Sequence, residues 1–280
     1  SAMGRFENYL LVSDFDRTLT NRQDSIPPEN LAAIDAFLAE GGLFTVATGR
    51  SVPIFRDRAR TLPINAPVIV FNGAVCYDFQ RDLPLFCRSL PESCVAFVQR
   101  LGVNYPMLRI ELQDLQFHYP VYTPPGTGQA HAHPDTIRHL PAAQIPQPLF
   151  KILIIGPYTP SADSPDFFVG CSAQEDRFYG EVLHFIAAEY GSQCTAIRSA
   201  PRMIEVQPVS TSKGAAARAL AHHLGRSRLV CVGDAPNDLS MLLEADLPFV
   251  PANAAKPLLE QFPVVADCDA GAIASVISRL

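Results

Sequence analysis

A chain of 280 residues has room for one large domain or two ordinary ones. It is 48% hydrophobic and 18% charged, enough to bury a substantial core, which excludes a disordered chain. The net charge of −6 argues against nucleic acid as the main partner, because neutralising phosphates takes clustered Lys and Arg.

The first element is the apolar run Tyr9 to Val12, which reads as a buried strand and ends in Asp14-Phe15-Asp16-Arg17-Thr18. In an open α/β sheet the loop past a strand's carboxyl end is where ligands bind. Two adjacent carboxylates repel unless a counter-charge is present. A bound Mg²⁺ relieves this, since it takes oxygen ligands, usually one or two carboxylates plus phosphate oxygens. Taken alone, the stretch reads first as a polar turn, and the rest of the chain reverses that preference.

Ile26-Pro27-Pro28-Glu29 then introduces a helix with Leu31, Ile34 and Leu38 at helical spacing, ended by Gly41-Gly42. Leu43–Ala47 is a second strand, followed by Thr48-Gly49-Arg50-Ser51 and a helix with Pro53 early in it. Val68–Phe71 is a third strand, and Asn72-Gly73 reads as the turn of a hairpin into Ala74–Tyr77. This β-α-β-α-β order is the signature of a doubly wound, Rossmann-like parallel sheet.

From Leu83 to Arg202 the pattern changes to strand-like pieces (Leu83–Cys87, Met107–Leu112, Phe150–Ile155, Thr195–Ile197) and helical ones (Pro91–Leu101, Glu175–Tyr190). With the irregular Pro-, Gly- and His-rich stretch 122–148, it reads as an inserted α+β domain over 83–202, leaving 1–82 and 203–280 as the core. His131, His133 and His139 in that stretch read as surface residues of a loop rather than a metal cage, and His222-His223 as surface residues of a helix. Lys213-Gly214 opens an alanine-rich helix capped by Ser212 or Thr211. Leu229–Val232 is a strand ending in Gly233-Asp234-Ala235-Pro236-Asn237-Asp238, with the helix Leu239–Ala245, the strands Leu247–Val250 and Val264–Ala266 and a last helix to follow.

The seven cysteines include no C-x-x-C pair and read as reduced thiols of a cytoplasmic protein, with Cys231 buried in its strand. No span is long and apolar enough for a transmembrane helix, and no secretory leader is recognisable, so no membrane association is expected. Ser1-Ala2-Met3 reads as a remnant of expression, with the native start near Met3.

In a parallel sheet the strand ends share one edge, so Asp14, Asp16, Thr48, Asp234 and Asp238 should converge there with Lys213. Burying so much charge costs several kcal/mol unless it is paired or metal-bound. The set suits phosphoryl transfer instead. Carboxylates and phosphate hold Mg²⁺, the amine offsets phosphate charge, and helix N-termini with Gly49 offer N–H donors.

Asp14-Phe15-Asp16-Arg17-Thr18, Thr48-Gly49-Arg50, Lys213-Gly214 and Gly233-Asp234-x-x-Asn237-Asp238 together resemble the four motifs of the haloacid dehalogenase (HAD) superfamily. The insert between the second and third motifs resembles the C2 cap of the Cof-type sugar-phosphatase branch, as do Asn72-Gly73-Ala74, Glu205–Pro208 and Asn253-Ala254. The resemblance implies a Mg²⁺-dependent phosphatase acting on small phosphorylated metabolites, sugar phosphates foremost. It implies that Asp14 attacks phosphorus and that Asp16 serves as acid, then base. Thr48, Gly49 and Lys213 would hold the phosphoryl group, while Asp14, the Asp16 carbonyl, Asp234 and Asp238 would serve the metal. Asn237 would touch the phosphate or position Lys213. Arg50 and Asn72 are further candidates for the substrate, and Arg50 reads equally as an ion-pair partner. The family usually has Gly at the place of Arg17, which implies either a tolerated backbone or a side chain aimed at the entrance. A phosphomutase or phosphotransferase on the same scaffold, or a binding module that has kept the fold, are the alternatives.

Overall fold

The computed structural model describes residues 3–125, 133–162 and 164–280. The chain forms two compact units, one of Ser1–Arg50, Phe55–Cys87 and Ser212–Leu280, the other of Ser51–Ile54 and Arg88–Thr211.

The larger unit is built on β1 (Tyr9–Asp14), flanked in parallel by β2 (Leu43–Ala47) and β11 (Arg228–Val232). Leu10, Leu11 and Val12 are fully buried, as a central strand covered on both faces requires. Beyond β2 come β3 (Val68–Val70), β4 (Val75–Asp78) and β5 (Leu83–Cys87), while β12 (Leu247–Pro251) and β13 (Val264–Val265) lie beyond β11. The order is β13-β12-β11-β1-β2-β3-β4-β5, parallel from β13 to β3 and antiparallel at the β4 and β5 edge. Helix α1 (Pro28–Ala39) packs on α8 (Ala272–Ile277), and α5 (Lys213–His223) packs on α6 (Leu239–Glu244). The remaining helices are α2 (Val52–Thr61) and α7 (Lys256–Leu259).

Helix α1 buries Asn30, Ile34 and Phe37, leaving the expected contact residue Leu31 38% exposed. Asn30 takes its place on the inner face because its amide is satisfied there: Nδ2 donates to the Leu19 carbonyl at 3.2 Å, and Oδ1 accepts from the Ala274 N–H at 2.9 Å. The Asn72-Gly73 turn closes a hairpin as expected, with Val70 opposite Val75. Phe71, Asn72 and Gly73 have φ of 51°, 53° and 99°. A Cβ on Gly73 would lie 2.0 Å from the Ser212 carbonyl oxygen, so only glycine lets this turn meet the start of α5.

The smaller unit holds α3 (Cys94–Asn104), β6 (Arg109–Gln113), β7 (His118–Tyr122), β8 (Lys151–Ile155), α4 (Ala173–Tyr190), β9 (Cys194–Ala200) and β10 (Met203–Pro208). Its antiparallel sheet runs β7-β6-β8-β10-β9. The expected bounds of 83 and 202 are both corrected. Leu83–Cys87 is the edge strand of the larger sheet, because its register continues the hairpin from β4. Met203–Pro208 belongs to the smaller sheet, where it pairs with both β8 and β9. Strand β7, which has no counterpart among the strands expected from the sequence, contains Pro120 and lies at an edge, where a missing N–H is tolerated.

On one face of this sheet Ile110, Leu112, Ile152, Ile154, Ile204 and Val206 join the apolar core with α3 and α4. The alternate positions carry Arg109, Glu111, Gln113, Lys151, Glu205 and Gln207, each at most 6% exposed. Glu111 accepts from Gln113 Nε2 at 3.0 Å and lies 3.1 Å from His118 Nδ1 and 3.5 Å from Arg109 Nη2. Burial by itself raises the Glu111 carboxyl, but His118, Gln113 and Arg109 outweigh it and hold the group below its usual range. Stability from this carboxylate is therefore fully present above the ordinary glutamate pKa and lost as pH falls through its lowered value. Glu111→Ala is expected to cost about 3 kcal/mol at pH 7, the usual scale for breaking a buried pair. Urea unfolding of both proteins should show that gap narrowing below about pH 4.

His133 and His139 are exposed, as are His222 and His223, whereas His131 lies outside the described residues. All seven cysteines are free thiols, and burial pushes the Cys231 thiol well up, which keeps it inert. No helix among the described residues is long and apolar enough to cross a membrane.

Candidate active site

The carboxyl ends of β1, β2 and β11 and the start of α5 supply the polar residues singled out from the sequence. Asp14 is the last residue of β1 and only 8% exposed. Lys213 is the first residue of α5, whose preceding Ser212 accepts from the Ala215 N–H at 3.0 Å. A cation at a helix N-terminus is disfavoured by the helix dipole. Here carboxylates reverse the balance: Lys213 Nζ donates to Asp14 Oδ1 at 2.9 Å and to Asp238 Oδ1 at 2.8 Å. Asp238 is fully buried, and its other oxygen accepts from the N–H groups of Asp234 and Ala235, both at 3.1 Å. Gly233 is needed in this loop, since a Cβ there would lie 2.5 Å from that of Asp238.

Asp14, Asp234 and Asp238 each offer an oxygen within 4.8 Å of the others. Burial, then the charges of Asp238 and Asp234, push the Asp14 carboxyl well up against the pull of Lys213. Burial and Asp238 likewise push Asp234 up to about 6. Burial opposes a charged Lys213, but Asp14 and Asp238 override it and hold the ammonium firmly protonated. Three carboxylates against one ammonium leave uncompensated negative charge. An all-oxygen donor set of this kind fits a hard divalent cation.

Asp16 stands apart from that cluster, with its side chain 53% exposed and its Oδ1 accepting from Arg50 Nη2 at 2.9 Å. Its expected place among the metal ligands concerned its backbone carbonyl, and its side chain is not among the clustered carboxylates. Thr48, 2% exposed, follows β2 and accepts from the Arg50 N–H at 3.1 Å. Its carbonyl accepts from the Asn72 N–H at 3.0 Å, which joins the second motif to the hairpin turn. Gly49 lies against the Asn72 amide, where a Cβ would come within 2.9 Å of Oδ1. Asn237 Nδ2 reaches Asn72 Oδ1 at 3.4 Å. Arg17 adopts φ 58° without being glycine, so the backbone conformation that favours glycine is kept by an arginine.

Two contributors carried no assignment from the sequence. Thr18 Oγ1 donates to Asp234 Oδ1 at 3.2 Å, and Ser240 Oγ accepts from the Gly214 N–H at 3.1 Å. Thr18 stands inside the first motif, so its place beside the aspartates was a usable signal. Ser240 had none, because helix packing alone brings it to α5.

The family profile of the haloacid dehalogenase-like hydrolases matches residues 11–113 and 171–277. The chain belongs to that family. This hydrolase is 27% identical over 278 residues to the HMP-PP phosphatase of Yersinia enterocolitica, covering 96% of this chain and 94% of the relative. It is 24% identical over 306 residues to the 5-amino-6-(5-phospho-D-ribitylamino)uracil phosphatase YwtE of Bacillus subtilis, covering 96% and 97%. Its fold matches the solved HAD subclass IIB sugar phosphatase BT4131 with a TM-score of 0.72 at 18% identity, over 97% of this chain and 98% of that one. The hydrolase is a phosphatase of the HAD type, and the resemblance read from its four motifs holds.

Proposed function

We propose that this phosphatase hydrolyses small phosphorylated metabolites, sugar phosphates foremost, through an aspartyl-phosphate on Asp14 and with Mg²⁺ as cofactor. The observation that carries the reading is the buried Lys213 ammonium bridging Asp14 and Asp238 beside Asp234. Asp14 is the nucleophile. Lys213 orients its carboxylate and offsets the charge of the incoming phosphate. Asp14, Asp234 and the Asp16 carbonyl would hold the metal, which would supply charge neutralisation for the phosphate. Asp238 acts by holding Lys213 and the Asp234 backbone, with both its oxygens engaged. Thr48 and the Gly49 N–H steady the transferring group, while Asn237, Asn72 and Arg50 contact the substrate. Asp16 protonates the leaving oxygen, then takes a proton from the water that attacks the acyl-phosphate. Phosphorus gains the Asp14 oxygen as the alkoxide leaves, and the second step returns Asp14 and inorganic phosphate.

The smaller unit is assigned the choice of leaving group. Support comes from connectivity, since the chain returns from it at Thr211 and reaches Lys213 two residues later. Its sheet carries a row of buried polar strand residues, in which Gln113 Oε1 and Gln207 Oε1 have no protein partner among the described residues.

Phosphate release from a panel of phosphorylated metabolites tests the substrate class, and a bisphosphate-activated transfer without phosphate release would favour a mutase instead. Excess chelator is expected to abolish turnover, with recovery on adding Mg²⁺. Asp234→Asn should raise the half-saturating Mg²⁺ concentration at least about tenfold while leaving the circular-dichroism spectrum unchanged. Full activity in chelator, or native metal dependence in the variant, would sink the metal assignment.

A further inference from the structure

Arg17 occupies left-handed backbone at φ 58° and ψ 24° in the turn that carries Asp16. A non-glycine residue stays in this region only when its surroundings hold it there. Its N–H donates to Thr20 Oγ1 at 3.1 Å, and that hydroxyl donates to the Phe15 carbonyl at 3.2 Å. Its carbonyl accepts from Asn253 Nδ2 at 2.9 Å, across 236 residues of sequence. The other end of the same amide is also engaged, since Asn253 Oδ1 accepts from the Cys268 N–H at 2.9 Å. The turn at Cys268 is itself anchored. Arg22 Nη1 lies 2.7 Å from Asp267 Oδ1 and 2.6 Å from Asp269 Oδ2. Two residues beyond Asn253, the Ala255 N–H donates to the Asp234 carbonyl at 2.8 Å.

We infer that Asn253 is a positioning residue: its amide fixes the Arg17 peptide and so the direction in which Asp16 points. The Asn253 amide bonds Arg17 and Cys268, and Asn253 is not one of the clustered carboxylates. It braces the Asp16 turn against the Cys268 turn, and its own segment is tied to the Asp234 loop. An exposed acid on a left-handed turn depends on that brace, because rotation of one peptide would swing its side chain away from the leaving oxygen. The inference rests on the acid–base role assigned to Asp16 above.

The test compares Asn253→Ala and Asn253→Asp with the native enzyme in single-turnover experiments on p-nitrophenyl phosphate and a hexose 6-phosphate. The hexose leaves as a poor alkoxide and needs the acid, whereas nitrophenolate does not. Phosphorylation of Asp14 by the hexose phosphate should slow by on the order of 10- to 100-fold, the scale of a misplaced catalytic group, and by the nitrophenyl ester much less. Asn253→Asp is nearly isosteric and keeps the acceptor for Cys268, but it loses the donor to Arg17. It should match Asn253→Ala in this substrate split. Equal loss on both substrates, or native behaviour of Asn253→Asp, overturns the inference. Asp16→Asn separates the two readings. If it shows the split and Asn253→Ala does not, only the positioning role falls, and if it shows none, both fall.

Discussion

Asp14→Asn is expected to lower turnover by at least about 10⁴-fold on every substrate, the scale on which losing a nucleophile is felt. The amide keeps the shape of the carboxylate, yet it cannot attack phosphorus. No burst of nitrophenolate and no phosphorylated protein should be seen. Folding provides the control. In the metal-free protein Asp14 is one of three carboxylates around a single ammonium, and burial with Asp238 and Asp234 disfavours its charge more than Lys213 favours it. Removing that charge should raise the melting temperature in chelator by about 2–4 °C for each kcal/mol of repulsion relieved. A variant that is inactive because it is unfolded would melt lower. A variant that keeps measurable turnover would show that Asp14 is not the nucleophile.

Asp16→Asn is expected to split the two half-reactions. With a sugar phosphate the first step loses its acid, and general acid–base help is typically worth ~10²–10⁴-fold. With p-nitrophenyl phosphate the first step survives in part, while hydrolysis of the acyl-phosphate still lacks its base. The second step then limits. The result should be a burst of about one nitrophenolate per enzyme molecule, a slow steady state, and phosphate retained on Asp14. Equal loss on both substrates with no burst and no labelled protein would remove Asp16 from this double role. The exposed side chain and its ion pair with Arg50 fit a group that must meet substrate and then water.

Much of the larger unit was legible from the residues. Parallel strands buried on both faces read as near-continuous apolar runs, so β1, β2, β3 and β11 stand out, each ended by polar residues. Those polar residues then mark an edge, because a parallel sheet puts all its carboxyl ends on one side. Asp14, Asp234, Asp238 and Lys213 are therefore expected together before any coordinate is known, and they are found together.

The smaller unit was legible only in outline. Its sheet has one apolar face and one charged face, and both are buried, so Arg109, Glu111 and Gln113 alternate with core residues as exposed polar ones would. Nothing in a local pattern separates a buried charge from a solvated one. The folded pairing makes the difference: Glu111 is held among Arg109, Gln113 and His118 on the paired strands β6 and β7, and Lys151 meets Glu205 across β8 and β10. The unit boundaries depended on the same long-range information, since Leu83–Cys87 and Met203–Pro208 are assigned by which neighbour each strand bonds. Asn253 shows the limit most sharply. The sequence marks Asn253-Ala254 as part of the family resemblance, but the role inferred for Asn253 comes from a hydrogen bond to Arg17 that only the folded chain can form.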